Sequence, residues 1–192
     1  MMYYYKAFGL TFSSEVFLPE CIQIAQPSTI DFSIVHKVID TPELQLTTIH
    51  RRGVYAQSGR GKEITKELYL HWEGIATYKA IEGTTLEVQA FTDDASVLSL
   101  FTVSEALGLL LLQRGYYLLH ASAVMIGEKA WVFMGSPGAG KSTTAAAFLK
   151  QGCPLLSDDL TAIVFDEQNI PYVVPAYPQL KIWHNTVKGL GW

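Results

Sequence analysis

Between residues 31 and 91 the chain alternates apolar and polar side chains in short runs. Asp31–Val38, Val54–Ala56, Glu67–Trp72, Gly74–Ala80 and Thr85–Phe91 are rich in Val, Ile, Thr, Tyr and Phe, which suit a pleated, half-buried surface. Breakers part them at Pro27-Ser28, Thr41-Pro42, Ser58-Gly59-Arg60-Gly61 and Glu82-Gly83. This pattern predicts a small, mostly antiparallel β domain over residues 1–92, with no His, Cys, Asp or Glu cluster at ligand spacing.

The period changes at Asp93-Asp94. Two acids before Ala95-Ser96 mark a helix start, where negative charge meets the positive end of the dipole. Val97, Leu100, Phe101, Leu107, Leu110 and Leu111 recur at helical spacing, and Gly115 ends the helix after Arg114. An apolar strand over Leu118–Ile126, a turn at Gly127-Glu128 and a second strand over Lys129–Met134 come next. A helix from Lys141 to Gln151 and short strands at Pro154–Ser157 and Leu160–Phe165 follow. The alternation makes residues 93–192 an α/β domain.

Composition narrows the function. The 192 residues are 49% hydrophobic and 17% charged, enough to bury a core. A net charge of −4 gives no basic surplus for nucleic acid. Cys21 and Cys153 are too few for a disulfide framework or a four-cysteine zinc site, and fit a reducing compartment. The N-terminus lacks the parts of a signal peptide. Glu105, Gln113, Arg114 and His120 interrupt the most apolar stretch, Val97–Ile126, before about 18 clean residues accumulate. A cytoplasmic protein without membrane or nucleic-acid partners is expected.

Gly135-Ser136-Pro137-Gly138-Ala139-Gly140-Lys141-Ser142 matches G-x-x-x-x-G-K-[ST] between an apolar strand and an Ala-rich helix. Glycines let backbone N–H groups curl round phosphate oxygens, and the helix start adds its positive dipole end. Lys141 can reach the β- and γ-phosphates, and the Ser142 hydroxyl can ligate Mg²⁺. A plain glycine turn explains the glycines but not Lys-Ser in this register. The expected nucleotide-binding set is Gly135 to Ser142 together with Thr143.

Asp158-Asp159 begins 17 residues after Lys141. About ten helical residues climb roughly 15 Å, and five extended residues return roughly 16 Å. The pair therefore lands beside the γ-phosphate if the second strand runs parallel to the first. One acid can hold Mg²⁺ and the other can take a proton from an attacking hydroxyl. A two-residue turn at Gly127-Glu128 also pairs Ile126 with Lys129, and that register sets His120 opposite Gly135. There a histidine can bond the phosphate or orient an acid, or simply satisfy a backbone carbonyl. Ser58-Gly59-Arg60-Gly61-Lys62 fits a hairpin turn better than a phosphate site, Cys153 fits a small core residue, and Lys181, Trp183 and His184 stand too isolated to assign.

Leu119-His120-Ala121-Ser122-Ala123-Val124, the loop Gly135–Ser142, and Leu155-Leu156-Ser157-Asp158-Asp159 together resemble the HPr kinase-like P-loop family, over about residues 95–190. The N-terminal half and Pro178–Trp183 look more loosely like the small serine kinases of peptide-modification clusters, including those acting on lasso-peptide precursors. The resemblance implies an α/β P-loop fold of the HPr kinase and PEP carboxykinase type in the second domain. It implies ATP-dependent phosphorylation of a protein or peptide serine, with ATP and Mg²⁺ as cofactors. By position, Asp158 would be the general base, Asp159 and Ser142 the magnesium ligands, and Lys141 and His120 catalytic groups at the phosphate. A regulatory nucleotide-binding module without transfer, and a small-molecule kinase or carboxykinase-like enzyme, are the competing functions. Family members continue beyond the counterpart of Trp192, so the catalytic domain is expected to be incomplete. Its uncovered sheet is then expected to make the segment a homo-oligomer or poorly stable.

Overall fold

A computed structural model describes residues 1–40, the main chain of 52–56, and 66–180. The Ser58–Lys62 turn, Lys181, Trp183 and His184 lie outside those residues. The chain forms two compact units, one of residues 1–6 and 10–115, the other of 7–9 and 116–192. The division thus falls after Gly115, not at residue 92.

The first unit holds β1 (Tyr3–Ala7), β2 (Leu10–Ser14), β3 (Ile22–Gln23), β4 (Phe32–His36), β5 (Arg52–Ala56), β6 (Glu67–Trp72), β7 (Ala76–Ile81) and β8 (Thr85–Ala90). They form one sheet in the order β3-β1-β2-β4-β8-β7-β6-β5. The strands from β5 to β8 pair antiparallel, as the tight turns between β6, β7 and β8 require. β4 runs parallel to both its neighbours, β2 and β8. Parallel neighbours need a crossover rather than a hairpin, so turn chemistry gave no sign of them.

A long helix, Ala95–Gln113, starts at Asp94, whose carboxylate accepts from the N–H groups of Ser96 and Val97. Its buried positions include Leu98, Thr102, Ala106 and Leu110, and beside them Ser99, Val103, Leu107 and Leu111. Both rows have a strict spacing of four, which drifts about 40° per step on an α-helix. The helix absorbs the drift with one π-helical segment, Thr102–Ala106, whose wider i→i+5 turn holds both rows against the sheet. This differs from the expected stripe, since Leu100 is exposed and Leu98 buried. The helix contacts β7 and β8 and so belongs to the first unit. Its length and composition suffice to cross a membrane despite Glu105, but more than half of the apolar window is buried. The unit's core runs through Phe12 stacked on Phe32 at 4.5 Å, with Ile34, Tyr78, Leu86 and Val88 all buried.

The second unit holds β9 (Tyr117–Leu119), β10 (Ala121–Ile126), β11 (Lys129–Met134), a helix Lys141–Lys150, β12 (Leu155–Ser157), β13 (Thr161–Phe165) and β14 (Pro171–Val174). They make two three-stranded sheets, β11-β10-β12 and β14-β13-β9, in which every paired neighbour is antiparallel. β11 and β12 are therefore parallel to each other, but across β10 rather than side by side. The strand expected over Leu118–Ile126 is cut at His120. Leu118 and Leu119 pair with β13, whereas Ala121 onward pairs with β11. Ala145 and Ala146 are fully buried on the 141–150 helix, which contacts β10 and β11. Alanine lets the helix lie close to the strands, and Phe148 stacks on Phe133 at 5.6 Å.

Candidate functional site

β11 runs into the loop Gly135–Gly140, and the helix starts at Lys141. Gly138 and Gly140 hold φ of +81° and +87°, which side-chain-bearing residues rarely adopt, and nothing lies within 4 Å of where a Cβ would stand. The N-cap of the helix is Gly140, which has no side chain to cap it. Residues 135–139 are exposed. A glycine-turned helix start without a side-chain cap, following an exposed loop, is of the kind that can take an anion. Lys141 folds back over the loop and its Nζ donates to the Gly135 carbonyl at 3.1 Å, so the lysine already holds a partner within the loop.

The hairpin register is the one the Gly127-Glu128 turn implies. Ile126 pairs with Lys129, and the ladder continues to Ala121 with Met134. It stops one position short of His120 and Gly135, because the chain leaves this sheet at His120. That side chain is exposed at the crossover between the sheets.

On the other side of β10, Ser157 pairs with Ala123, which sets Asp158 beside Ser122. Asp158 is buried and Oδ1 accepts from two hydroxyls, Ser142 at 2.9 Å and Ser122 at 2.5 Å. The bond to Ser142 joins the first turn of the loop helix to the end of β12. It also fixes the Ser142 hydroxyl with its proton toward Asp158, leaving the oxygen lone pairs to face elsewhere. Asp158, which the resemblance casts as the general base, is thus an acid bonded to Ser142.

Asp159 is half-buried, with φ of +70°. The Leu160 N–H donates to the Asp158 carbonyl at 2.9 Å, so Asp159 is the centre of a tight three-residue turn that a non-glycine residue enters at a cost. A buried clamp holds the turn's ends. Thr161 donates its hydroxyl proton to the Ala121 carbonyl at 2.9 Å and lies 2.7 Å from Ser157 Oγ. Having one proton, Thr161 accepts from Ser157. Ser122, Ser157 and Thr161 are fully buried. None of the three carried a role in the motif reading, because each lies inside an apolar strand pattern. The signal available was three small hydroxyl residues flanking strand ends that lead to the same acids.

Among the described residues no group of three or more His, Cys, Asp and Glu side chains comes together. Mg²⁺ needs no such cage, since it keeps waters and takes one or two carboxylates plus substrate phosphates. Ser142 beside Asp158 fits that demand. A separate apolar cavity of about 670 Å³ is lined by Met125, Ala130, Val132, Leu156, Ile163 and Tyr172 among others. Ala130 and Val132 alternate with Phe133, which faces the loop helix, so this cavity opens on the opposite sheet face. None of the expected site residues lines it.

No protein-family model matches the chain, and no curated protein or solved structure shows significant similarity to it.

Proposed function

We propose that the chain is an ATP-dependent serine kinase of HPr kinase-like type, transferring the γ-phosphate of ATP to a serine hydroxyl of a protein or peptide. The observation that carries this reading is the Ser142–Asp158 bond at 2.9 Å. It ties the phosphate loop to an acid sixteen residues away, which a solvated turn would not do. The donors of the loop and the helix start bind the triphosphate, with Lys141 leaving the Gly135 carbonyl for a phosphate oxygen. Mg²⁺, when bound at Ser142, neutralises charge on the β- and γ-phosphates. Asp158 orients Ser142 on the metal side. Asp159 then accepts the proton of the acceptor serine, so the acids exchange the roles that the resemblance assigns. His120 has a weaker claim, being exposed where the chain crosses between sheets.

The test uses the folded chain with γ-labelled ATP, Mg²⁺ and a panel of serine-bearing peptides. Label on serine is expected. Asp159→Asn should keep ATP binding and lose transfer by about 10²–10⁴, while Asp158→Asn should raise the Mg²⁺ requirement. ATP binding without transfer to any acceptor would favour a regulatory module, and label on a metabolite alone a small-molecule kinase.

A further inference from the structure

We infer that Ser122 is a positioning residue that sets the Mg²⁺ affinity of the phosphate site by fixing Asp158. This rests on the reading of the loop as a Mg²⁺–ATP site. Ser122 is the second residue of β10, among Ala121, Ala123 and Val124, all fully buried. A buried hydroxyl in such a strand costs free energy unless it is bonded, so its partner matters. That partner is Asp158 Oδ1, the same atom that receives the Ser142 hydroxyl. The proton directions follow from the chemistry. A carboxylate only accepts, so both hydroxyls donate, and the order is Ser122 to Asp158 from one side and Ser142 to Asp158 from the other.

The backbone makes the arrangement rigid. Antiparallel pairing of Ser157 with Ala123 brings Asp158 level with Ser122. On β10's other edge Ser122 pairs with Phe133 of β11, the strand that leads into the loop. Ser122 therefore sits between the strand that carries the loop and the strand that carries the acid. Removing its hydroxyl takes away one of the bonds that hold Asp158 Oδ1 against Ser142. Partners that orient a metal-site residue from behind typically change metal affinity by about 10–100-fold.

The experiment titrates Mg²⁺ against the full chain and ATP by calorimetry, with Mn²⁺ binding by paramagnetic resonance as a second readout. Ser122→Ala is expected to raise the half-saturating metal concentration about 10–100-fold, leaving ATP affinity in EDTA and the circular dichroism spectrum as in wild type. Ser122→Cys, of similar size but a weaker donor, should fall between the two. In an Asp158→Asn background Ser122→Ala should add less than twofold, because the hydroxyl acts through that carboxylate. An unchanged metal titration in folded Ser122→Ala or Ser122→Cys would overturn the role of Ser122 and leave the phosphate-loop reading standing. A full additional loss in the Asp158→Asn background would also overturn it. Wild-type protein that binds no ATP with or without Mg²⁺ would overturn both.

Discussion

Replacing Thr161 by Val removes one oxygen from the buried clamp and keeps nearly the same volume. In wild type the Thr161 hydroxyl donates to the Ala121 carbonyl at 2.9 Å and accepts from Ser157 at 2.7 Å, both hydroxyls being fully buried. Valine deletes two hydrogen bonds, each worth about 1 kcal/mol net. It also strands the Ser157 O–H in an apolar setting, at about 1–3 kcal/mol. The sum is a loss of about 3–5 kcal/mol, at the upper end for a single substitution. Ser157→Ala is milder, at about 1 kcal/mol, because Thr161 keeps its bond to Ala121 and no donor is orphaned. In the double variant the stranded donor is gone and the bond shared by the two hydroxyls is lost only once, so the double should cost about 2–4 kcal/mol less than the two singles summed. Native-state hydrogen exchange of β10 and β12 amides reports the opening of this unit by itself, which a global transition of a two-unit chain does not. A Thr161→Val loss below about 0.5 kcal/mol, or strictly additive singles, would refute the proton directions derived for the clamp.

Other consequences follow from single residues. Lys141→Ala should weaken ATP binding at least tenfold by calorimetry while leaving the fold intact, since the lysine donates to the Gly135 carbonyl within its own loop; equal affinity would sink its assignment. Asp159→Ala and Asp159→Gly should lose phosphotransfer equally, but the alanine variant should be less stable by about 1 kcal/mol, because only glycine relaxes at φ of +70°. Glu67 accepts from Lys79 at 2.8 Å and Tyr69 at 2.7 Å, and the lysine chiefly holds its pKa below the ordinary glutamate value. A depressed carboxylate contributes stability that is present above its unfolded pKa of about 4.3 and lost as pH falls through its folded value. Glu67→Gln should therefore be less stable than wild type at pH 7 and approach it as acid is added, by denaturant titration at stepped pH; a pH-independent difference would contradict the ion-pair origin.

What could be read from the sequence was local. The glycine loop, the helix behind it, the Gly127-Glu128 hairpin register and the return of Asp158 to Ser142 each depend on a short segment whose geometry its own residues fix. The features missed depend on partners distant in the chain. β1 and β2, joined through Phe8 and Gly9 at φ of +52° and +69°, lie outside the alternating runs. β4 is parallel to both neighbours, which no turn announces. The cut at His120 arises because Leu118 and Leu119 find β13, over forty residues on. The π segment was hidden for a different reason: a burial spacing of four looks like an ordinary amphipathic helix until the rows are followed past three turns. The role of Ser122 was masked by an apolar strand, where a small hydroxyl resembles alanine in volume and differs only in what it must bond.

The most direct test of the account is calorimetric titration of the intact chain with ATP in Mg²⁺ and again in EDTA. Saturable binding of one ATP per chain, weakened at least tenfold when Mg²⁺ is withdrawn and again by Ser142→Ala, is the expected result, because the proposed site places Ser142, bonded to Asp158, on the metal side of the nucleotide. A folded protein that shows no saturable ATP binding at millimolar nucleotide, or binds it equally with and without Mg²⁺ and Ser142, would contradict it.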